Sequence, residues 1–163
     1  MRRISEFVKR ERHLPHWEAP GESYFVTFTL KERDTCDLTR DDLAPVILDA
    51  LAHFDGQRYI LYDHTVMPNH AHAIVMPTVV DGSAEALDSF LGDIKGFIAY
   101  KINRILGRRG SLWLDESYDH LIRSPEQYEV LARYIFENPV TAGFVQHGHE
   151  WKWWRPGQSG RLI

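Results

Sequence analysis

Two histidines stand two residues apart in the segment His70-Ala71-His72. Residues i and i+2 of a β-strand point to the same face, so a strand here would place two imidazoles side by side. Imidazole is the commonest protein ligand for divalent transition metals, and such a pair could bind one ion. The alternative is a pair of ordinary hydrogen-bonded or solvent-facing histidines. The preceding Met67-Pro68-Asn69 predicts a turn, which would keep the histidines accessible.

Tyr134 and Asn138 are four residues apart in a segment with helical spacing, which places both on one helical face. A phenol oxygen is a nucleophile once it loses its proton, and an amide oxygen could complete a metal site. The alternative is a core aromatic residue followed by an asparagine that caps the helix. Tyr100 is a rival nucleophile on another predicted helix, but Arg104, four residues later, does not suit metal ligation. We therefore prefer Tyr134.

The elements that must position these side chains follow from the spacing of apolar residues. Aromatic and β-branched runs predict strands, and apolar residues three and four apart predict helices. The predicted elements are strands at 23–30, 58–66, 70–76 and 117–123, and helices at 39–55, 84–106 and 125–137. We expect Thr39 and Ser124 to cap the first and last helices. Gly107 should end the second helix and Pro139 the last.

This β-α-β-β-α-β-α order predicts an α+β protein with a ferredoxin-like split βαβ fold. Such a fold has an antiparallel sheet with helices on one face, and here a C-terminal helix that carries the tyrosine is added. We expect three regions: a basic N-terminal arm (1–20), the main domain (21–148), and an aromatic, Gly-rich C-terminal tail (149–163).

Composition and charge exclude several classes of protein. The 163 residues are 44% hydrophobic and 26% charged, which is typical of a globular domain and not of a disordered chain. The single cysteine, Cys36, excludes an internal disulfide framework and a multi-cysteine zinc site, and favours a cytoplasmic protein. No apolar run is long enough to span a membrane, and we expect no membrane partner. The net charge is −4, but basic residues gather in 1–12 and 95–111.

The motifs resemble those of single-tyrosine HUH transposases, an IS200-like family, and most closely the REP-associated tyrosine transposases. The segment from Met67 to Val75 resembles the family's MPNHxH motif. The segment Tyr134 to Val145 is similar to its YIxxNPVxAGLV motif. The likeness covers roughly residues 20–150, and the two motifs in the correct order are more specific than either alone.

The resemblance implies a transposase that cleaves and rejoins single-stranded DNA, often a hairpin from a repetitive palindromic element, through a 5′-phosphotyrosine. It assigns Tyr134 as the nucleophile, and His70 and His72 as the ligands of Mg²⁺ or Mn²⁺. Asn138 matches the position that can supply a third ligand. The protein would be a monomer or a homodimer, since relatives of both kinds exist.

Further residues are candidates for DNA contact. Basic side chains could hold phosphates, and aromatic rings could stack on unpaired bases. The candidates are Lys95, Lys101, Arg104, Arg108, Arg109, Trp113, Tyr118 and Arg123. Two other functions remain open from the sequence: a domesticated hairpin-binding protein without strand transfer, and a small metal hydrolase unrelated to DNA.

Overall fold

The computed structural model describes residues 22–157, which form seven strands and three α-helices. The strands are β1 (Ser23–Thr29), β2 (Tyr59–Met67), β3 (His70–Pro77), β4 (Val79–Val80), β5 (Ser83–Ala84), β6 (Tyr118–Ile122) and β7 (Trp154–Arg155). The helices are α1 (Ala44–His53), α2 (Leu87–Leu106) and α3 (Pro125–Thr141), and a short 3₁₀ turn spans Gly148–Glu150. The predicted N-terminal arm lies outside the described residues, as do the last six residues of the tail.

Five strands form one sheet in the order β6-β1-β3-β2-β7, and every neighbouring pair is antiparallel. The first four are the strands of the predicted ferredoxin-like fold, in which β1 and β2 flank β3. The predicted fold class is confirmed. The short strand β7 comes from the C-terminal tail and extends the sheet beyond β2. The separate hairpin of β4 and β5 was not predicted.

Helices α1 and α2 pack on one face of the sheet. Alternate residues of β1 point to this face, as the period of a strand requires: Tyr24, Val26 and Phe28 are all at most 2% exposed. Ala71 and Ala73 of β3 lie in the same cluster. The face of β3 opposite the two histidines is therefore the one that α1 and α2 cover.

Helix α3 packs on the other face. Phe25 of β1 and Ile74 of β3 contact its buried residues Leu131 and Ile135, in a second apolar cluster. Ser124 caps this helix as predicted, because its Oγ accepts a hydrogen bond from the Gln127 amide at 3.1 Å. A cap of this kind stabilises a helix by about 1 kcal/mol. The sheet is therefore covered on one face by α1 and α2 and on the other by α3.

Two predicted helix boundaries are wrong. Helix α1 begins at Ala44, not beside Thr39, because the Asp37 carboxylate accepts bonds from the amide and the hydroxyl of Thr39 and holds them in a turn. Helix α3 continues through Pro139 to Thr141. Proline removes one amide donor, but the turn that follows keeps its bonds, and Gly143, two residues after the end of the helix, takes the left-handed conformation that terminates it.

The C-terminal tail packs on the sheet as far as it is described. Trp153 is 7% exposed and belongs to the cluster beneath α1 and α2. Trp151 donates a hydrogen bond from Nε1 to the Val66 carbonyl at 3.0 Å. Within residues 22–157, no helix combines the length and the apolar character needed to cross a bilayer.

Candidate functional site

The two histidines lie side by side on the α3 face of β3. Residues directly opposite in antiparallel strands share a face, and β1 places Thr27 opposite His72 and Thr29 opposite His70. The ring centroids of His70 and His72 are 4.6 Å apart. The strand and its turn therefore form the paired imidazole arrangement expected from the sequence.

Each imidazole is oriented by a hydrogen bond at Nδ1. The Thr27 hydroxyl lies 2.7 Å from Nδ1 of His72, and the Asn69 side-chain oxygen lies 2.6 Å from Nδ1 of His70. An amide oxygen only accepts, so Nδ1 of His70 carries the proton and its Nε2 is left with a lone pair. If the Thr27 hydroxyl accepts a hydrogen bond from Nδ1 of His72, that ring also carries its proton on Nδ1 and leaves Nε2 with a lone pair.

Nε2 of His72 is buried and has no hydrogen-bond partner among residues 22–157. A buried imidazole nitrogen without a partner is costly unless something else satisfies it. A divalent ion between the two histidines would do so, because metal-binding histidines typically ligate with one nitrogen and donate a hydrogen bond from the other. The residues present fit a metal ion on this observation.

Burial keeps both imidazoles in the form that binds metal. Burial, with a smaller effect from the nearby Arg33 charge, lowers the pKa of His70 to about 4. Burial lowers the pKa of His72 well below its usual value, and the neighbouring His70 adds to this. Both rings are neutral near pH 7, as ligands must be.

Helix α3 brings Tyr134 to the histidines. The ring centroids of Tyr134 and His72 are 5.4 Å apart, and Tyr134 also lies edge-on to Phe25 at 6.0 Å. Burial raises the pKa of the phenol, and a side-chain hydrogen bond from Asn138 partly opposes this. The phenol is therefore protonated near pH 7. Tyr134, the two histidines and Asn138 converge on one site within a single chain.

The available ligands define the character of the site. No group of three or more His, Cys, Asp and Glu side chains suited to a metal occurs in the described part of the chain. A metal here would have two imidazole nitrogens and the amide oxygen of Asn138, which stays free when the amide nitrogen donates to Tyr134. Three protein ligands would leave coordination positions open for a substrate.

A single row of cross-strand neighbours passes through the site. The register places Tyr118, Thr27, His72, Thr65 and Trp154 opposite one another across all five strands. These side chains share the α3 face because directly paired residues point the same way. Tyr118, a candidate for base stacking, therefore lies on the face of the site, two strands from His72.

The basic candidates on α2 lie behind the sheet. The helix packs on the face opposite the histidines, so its cations do not join the site. On the helix, Lys101 lies over the Phe97 ring and Arg104 donates a hydrogen bond to the Tyr100 hydroxyl. Just after the helix, Arg108 donates a hydrogen bond to the Asn103 side-chain oxygen.

The four remaining candidates are Lys95 on α2 and three residues outside the helices: Arg109, Trp113 and Arg123. Lys95 donates to the Leu114 carbonyl at 3.1 Å. Arg109 is exposed after the end of α2, and Arg123 is exposed where β6 ends. Trp113 is 4% exposed, packs against Phe28 and donates from Nε1 to the Lys95 carbonyl. Trp113 is a core residue with no open ring face, which corrects the expectation that it stacks on a base.

The rival nucleophile Tyr100 does not lie near the histidines. It is 57% exposed on α2, on the other side of the sheet. Sequence reasoning missed Thr27 and Asn69, which orient the imidazoles. Asn69 is adjacent to His70, and its amide type was a usable signal. Thr27 is 45 residues from His72, and only the strand register reveals the contact.

Comparison of the structure with solved structures identifies proteins of the same fold. One is described as a REP-associated tyrosine transposase bound to a REP hairpin; it has a TM-score of 0.71 and 23% identity, over 88% of this chain and 82% of that one. Another is assigned as a transposase in Deinococcus radiodurans R1, with a TM-score of 0.50 and 19% identity over 80% of this chain and 97% of that one. No family model and no curated protein matches the sequence. The comparisons confirm the fold implied by the sequence resemblance.

Proposed function

We propose that this protein is a transposase that cuts and rejoins single-stranded DNA through Tyr134. The observation that carries the proposal is the convergence of a half-buried phenol and two imidazoles, with 5.4 Å between the rings of Tyr134 and His72. A protein of the same fold is described as bound to a REP hairpin. We therefore take hairpin-forming single-stranded DNA as the substrate.

The proposed reaction is a transesterification at one phosphodiester. The Tyr134 oxygen forms a bond to phosphorus, and the bond from phosphorus to the 3′ oxygen breaks. The phenol gives up its proton and the departing oxygen gains one, which leaves a 5′-phosphotyrosine and a free 3′ hydroxyl. A 3′ hydroxyl can later reverse the reaction and join a strand, because the ester retains the energy of the original bond.

The two histidines and Asn138 would hold Mg²⁺ or Mn²⁺, with the mixed nitrogen and oxygen set suiting Mn²⁺ at least as well. When bound, the ion supplies positive charge to the phosphate that is attacked. The chain itself orients the participants: Thr27 and Asn69 fix the imidazoles, and Asn138 hydrogen-bonds the phenol oxygen.

The phenol needs help to react near neutral pH. Its pKa is raised by burial, so it is a protonated nucleophile in the resting protein. The hydrogen bond from Asn138 stabilises the phenolate that forms as the proton leaves. All four residues come from one chain, so the proposed reaction does not require a second subunit.

A covalent-trapping experiment tests the proposed function and shows which side of the broken phosphodiester stays attached to the protein. The protein is incubated with Mn²⁺ and a hairpin oligonucleotide with single-stranded flanks, labelled in separate samples at its 3′ or 5′ end. We expect the 3′ label to migrate with the denatured protein. The 5′-labelled fragment should be released with a 3′ hydroxyl that a polymerase extends.

The matched variants are Tyr134→Phe and Tyr100→Phe. Tyr134→Phe should abolish the adduct and keep DNA binding, whereas Tyr100→Phe should keep both. An adduct that survives Tyr134→Phe would assign the chemistry to another residue. DNA binding that is unaffected by chelator, with no adduct over a range of hairpins, would instead support the alternative of a binding protein without strand transfer.

A further inference from the structure

An open cleft of about 660 Å³ adjoins the histidine and tyrosine site. It lies between the segment after β1, the turn that joins β2 and β3, and the C-terminal end of α3. His70 and Asn138 of the proposed site line it, together with Arg33 and Phe144. A group bound in the cleft would therefore lie next to the proposed scissile phosphate.

Arg33 supplies a positive charge to this cleft. Its side chain is exposed, and it forms no ion pair with any residue between 22 and 157. It lines the same cleft as the proposed metal ligand His70. A guanidinium presents five donors in a planar fork that matches a phosphate.

Two carboxylates also line the cleft, and they limit the net attraction for an anion. Asp37 is engaged by Thr39, whose amide and hydroxyl both donate to it. Asp34 is exposed beside Arg33. Their presence makes a specific prediction, because removal of the Asp34 charge should strengthen the binding of an anion that Arg33 contacts.

Phe144 presents an aromatic ring at the same cleft. The helix ends in a Schellman motif: Gly143 has φ +83°, its amide bonds to Val140, and the Phe144 amide bonds to the Pro139 carbonyl at 2.9 Å. This turn projects Phe144 out of the helix, where it is 52% exposed. The ring stacks on Trp151 at 5.5 Å and lines the cleft.

We propose that this cleft binds a nucleotide of the single-stranded DNA beside the scissile phosphate, with Arg33 holding a backbone phosphate and Phe144 stacking on the base. The inference rests on the proposed function and adds to it a binding subsite for the strand. The pairing of a cation with an exposed aromatic ring is the combination that binds single strands without reading a sequence.

Binding of an unstructured, dye-labelled oligonucleotide over a series of salt concentrations tests the two contacts separately. Arg33→Gln should weaken binding about tenfold, and should reduce the slope of log K against log salt by about 0.7, since one phosphate contact is lost. Phe144→Ala should weaken binding at least about fivefold with the slope unchanged, because stacking carries no charge. Asp34→Asn should tighten binding.

Two variants outside the cleft serve as matched controls. Arg133→Gln removes an exposed arginine from α3 that does not line the cleft, and Phe97→Ala removes a 49% exposed ring behind the sheet. Neither should change the affinity or the salt slope. Equal effects of Arg33→Gln and Arg133→Gln would show that only general charge matters and would overturn the inference.

The single cysteine gives an independent readout. Cys36 lines the same cleft and is partly buried, so bound DNA should slow its alkylation by a maleimide several-fold. Arg33→Gln should remove this protection at the same DNA concentration. Unprotected Cys36 in the DNA-bound wild type would refute the location of the subsite.

The outcomes separate the two proposals. If the wild type forms the covalent adduct but Arg33→Gln and Phe144→Ala bind DNA normally, the subsite is wrong and the function stands. If the variants weaken binding as described but no adduct forms, the subsite stands and the strand-transfer chemistry fails.

Discussion

The hydrogen bond between Thr27 and His72 allows a direct test of the proposed metal site. Thr27→Val keeps the shape and β-branching of the side chain and removes the hydroxyl. His72 is only 5% exposed, so its Nδ1, now 2.7 Å from a hydroxyl, would lose its partner in a place where water has little access. An unsatisfied buried polar group costs about 1–3 kcal/mol of stability.

The same substitution should weaken metal binding. Without the hydroxyl at Nδ1, His72 can place its proton on Nε2, the nitrogen proposed to face the ion. Loss of such an orienting partner typically costs about 10–100-fold in metal affinity. We therefore expect Mn²⁺ affinity, measured by electron paramagnetic resonance or calorimetry without DNA, to fall by that factor.

Thr29→Val is the matched control. Thr29 lies two residues along the same strand, opposite His70, but Nδ1 of His70 is held by Asn69. The control should leave Mn²⁺ affinity within about twofold of the wild type. Urea denaturation in the absence of metal and DNA should show that Thr27→Val is destabilised and Thr29→Val is not. Equal Mn²⁺ affinities for the wild type and Thr27→Val would refute the proposed role of Thr27, and equal losses in the two variants would assign the effect to the strand.

Three other predictions concern stability and are measured by urea denaturation. Gly148→Ala should destabilise the fold by about 1–3 kcal/mol, because the added Cβ would meet the Phe136 carbonyl oxygen and lie 2.7 Å from the Phe136 ring. Gly96→Ala, whose added Cβ would have nothing within 4 Å, should stabilise the fold by up to about 1 kcal/mol. Ser124→Ala should cost about 1 kcal/mol by removing the cap of α3, and no change would mean that the cap is redundant. Burial lowers the pKa of His64 below its usual value. As pH falls, this histidine is therefore protonated in the unfolded chain before it is protonated in the folded protein. The free energy of unfolding should decrease below about pH 6.5, by at most about 1.4 kcal/mol per pH unit. His64→Gln should lose less stability than the wild type between pH 7.5 and 5.

The elements that carry the site were predictable because their signals are local. The strand period put His70 and His72 on one face, and Ser124 with Pro125 marked the start of α3. Tyr134 and Asn138 then share a face by helical spacing alone. The end of α3 was not predictable from Pro139, because this proline is itself buried and the turn after it forms its hydrogen bonds without the proline amide.

The position of the basic helix could have been inferred from a signal in the sequence. Ala71 points away from the two histidines, and the expectation was that it faces apolar packing. In the structure this packing is with α1 and α2, which places the cations of α2 behind the sheet. The alternation of side chains between the two faces of β3 therefore indicates which helices lie on the histidine face and can reach the site. The contact of Thr27 with His72 has no such signal, since it depends on the pairing of distant strands.

The precision of the site comes from apolar packing beside it. Leu131 and Ile135 are both fully buried against the sheet, and they fix the rotation of α3 about its axis. Tyr134 is one residue before Ile135, about 100° around the helix, which turns its ring from the centre of the cluster toward His72. Asn138 follows one turn later and meets the phenol. The chemistry proposed for Tyr134 thus depends on the two aliphatic residues that hold its ring 5.4 Å from that of His72.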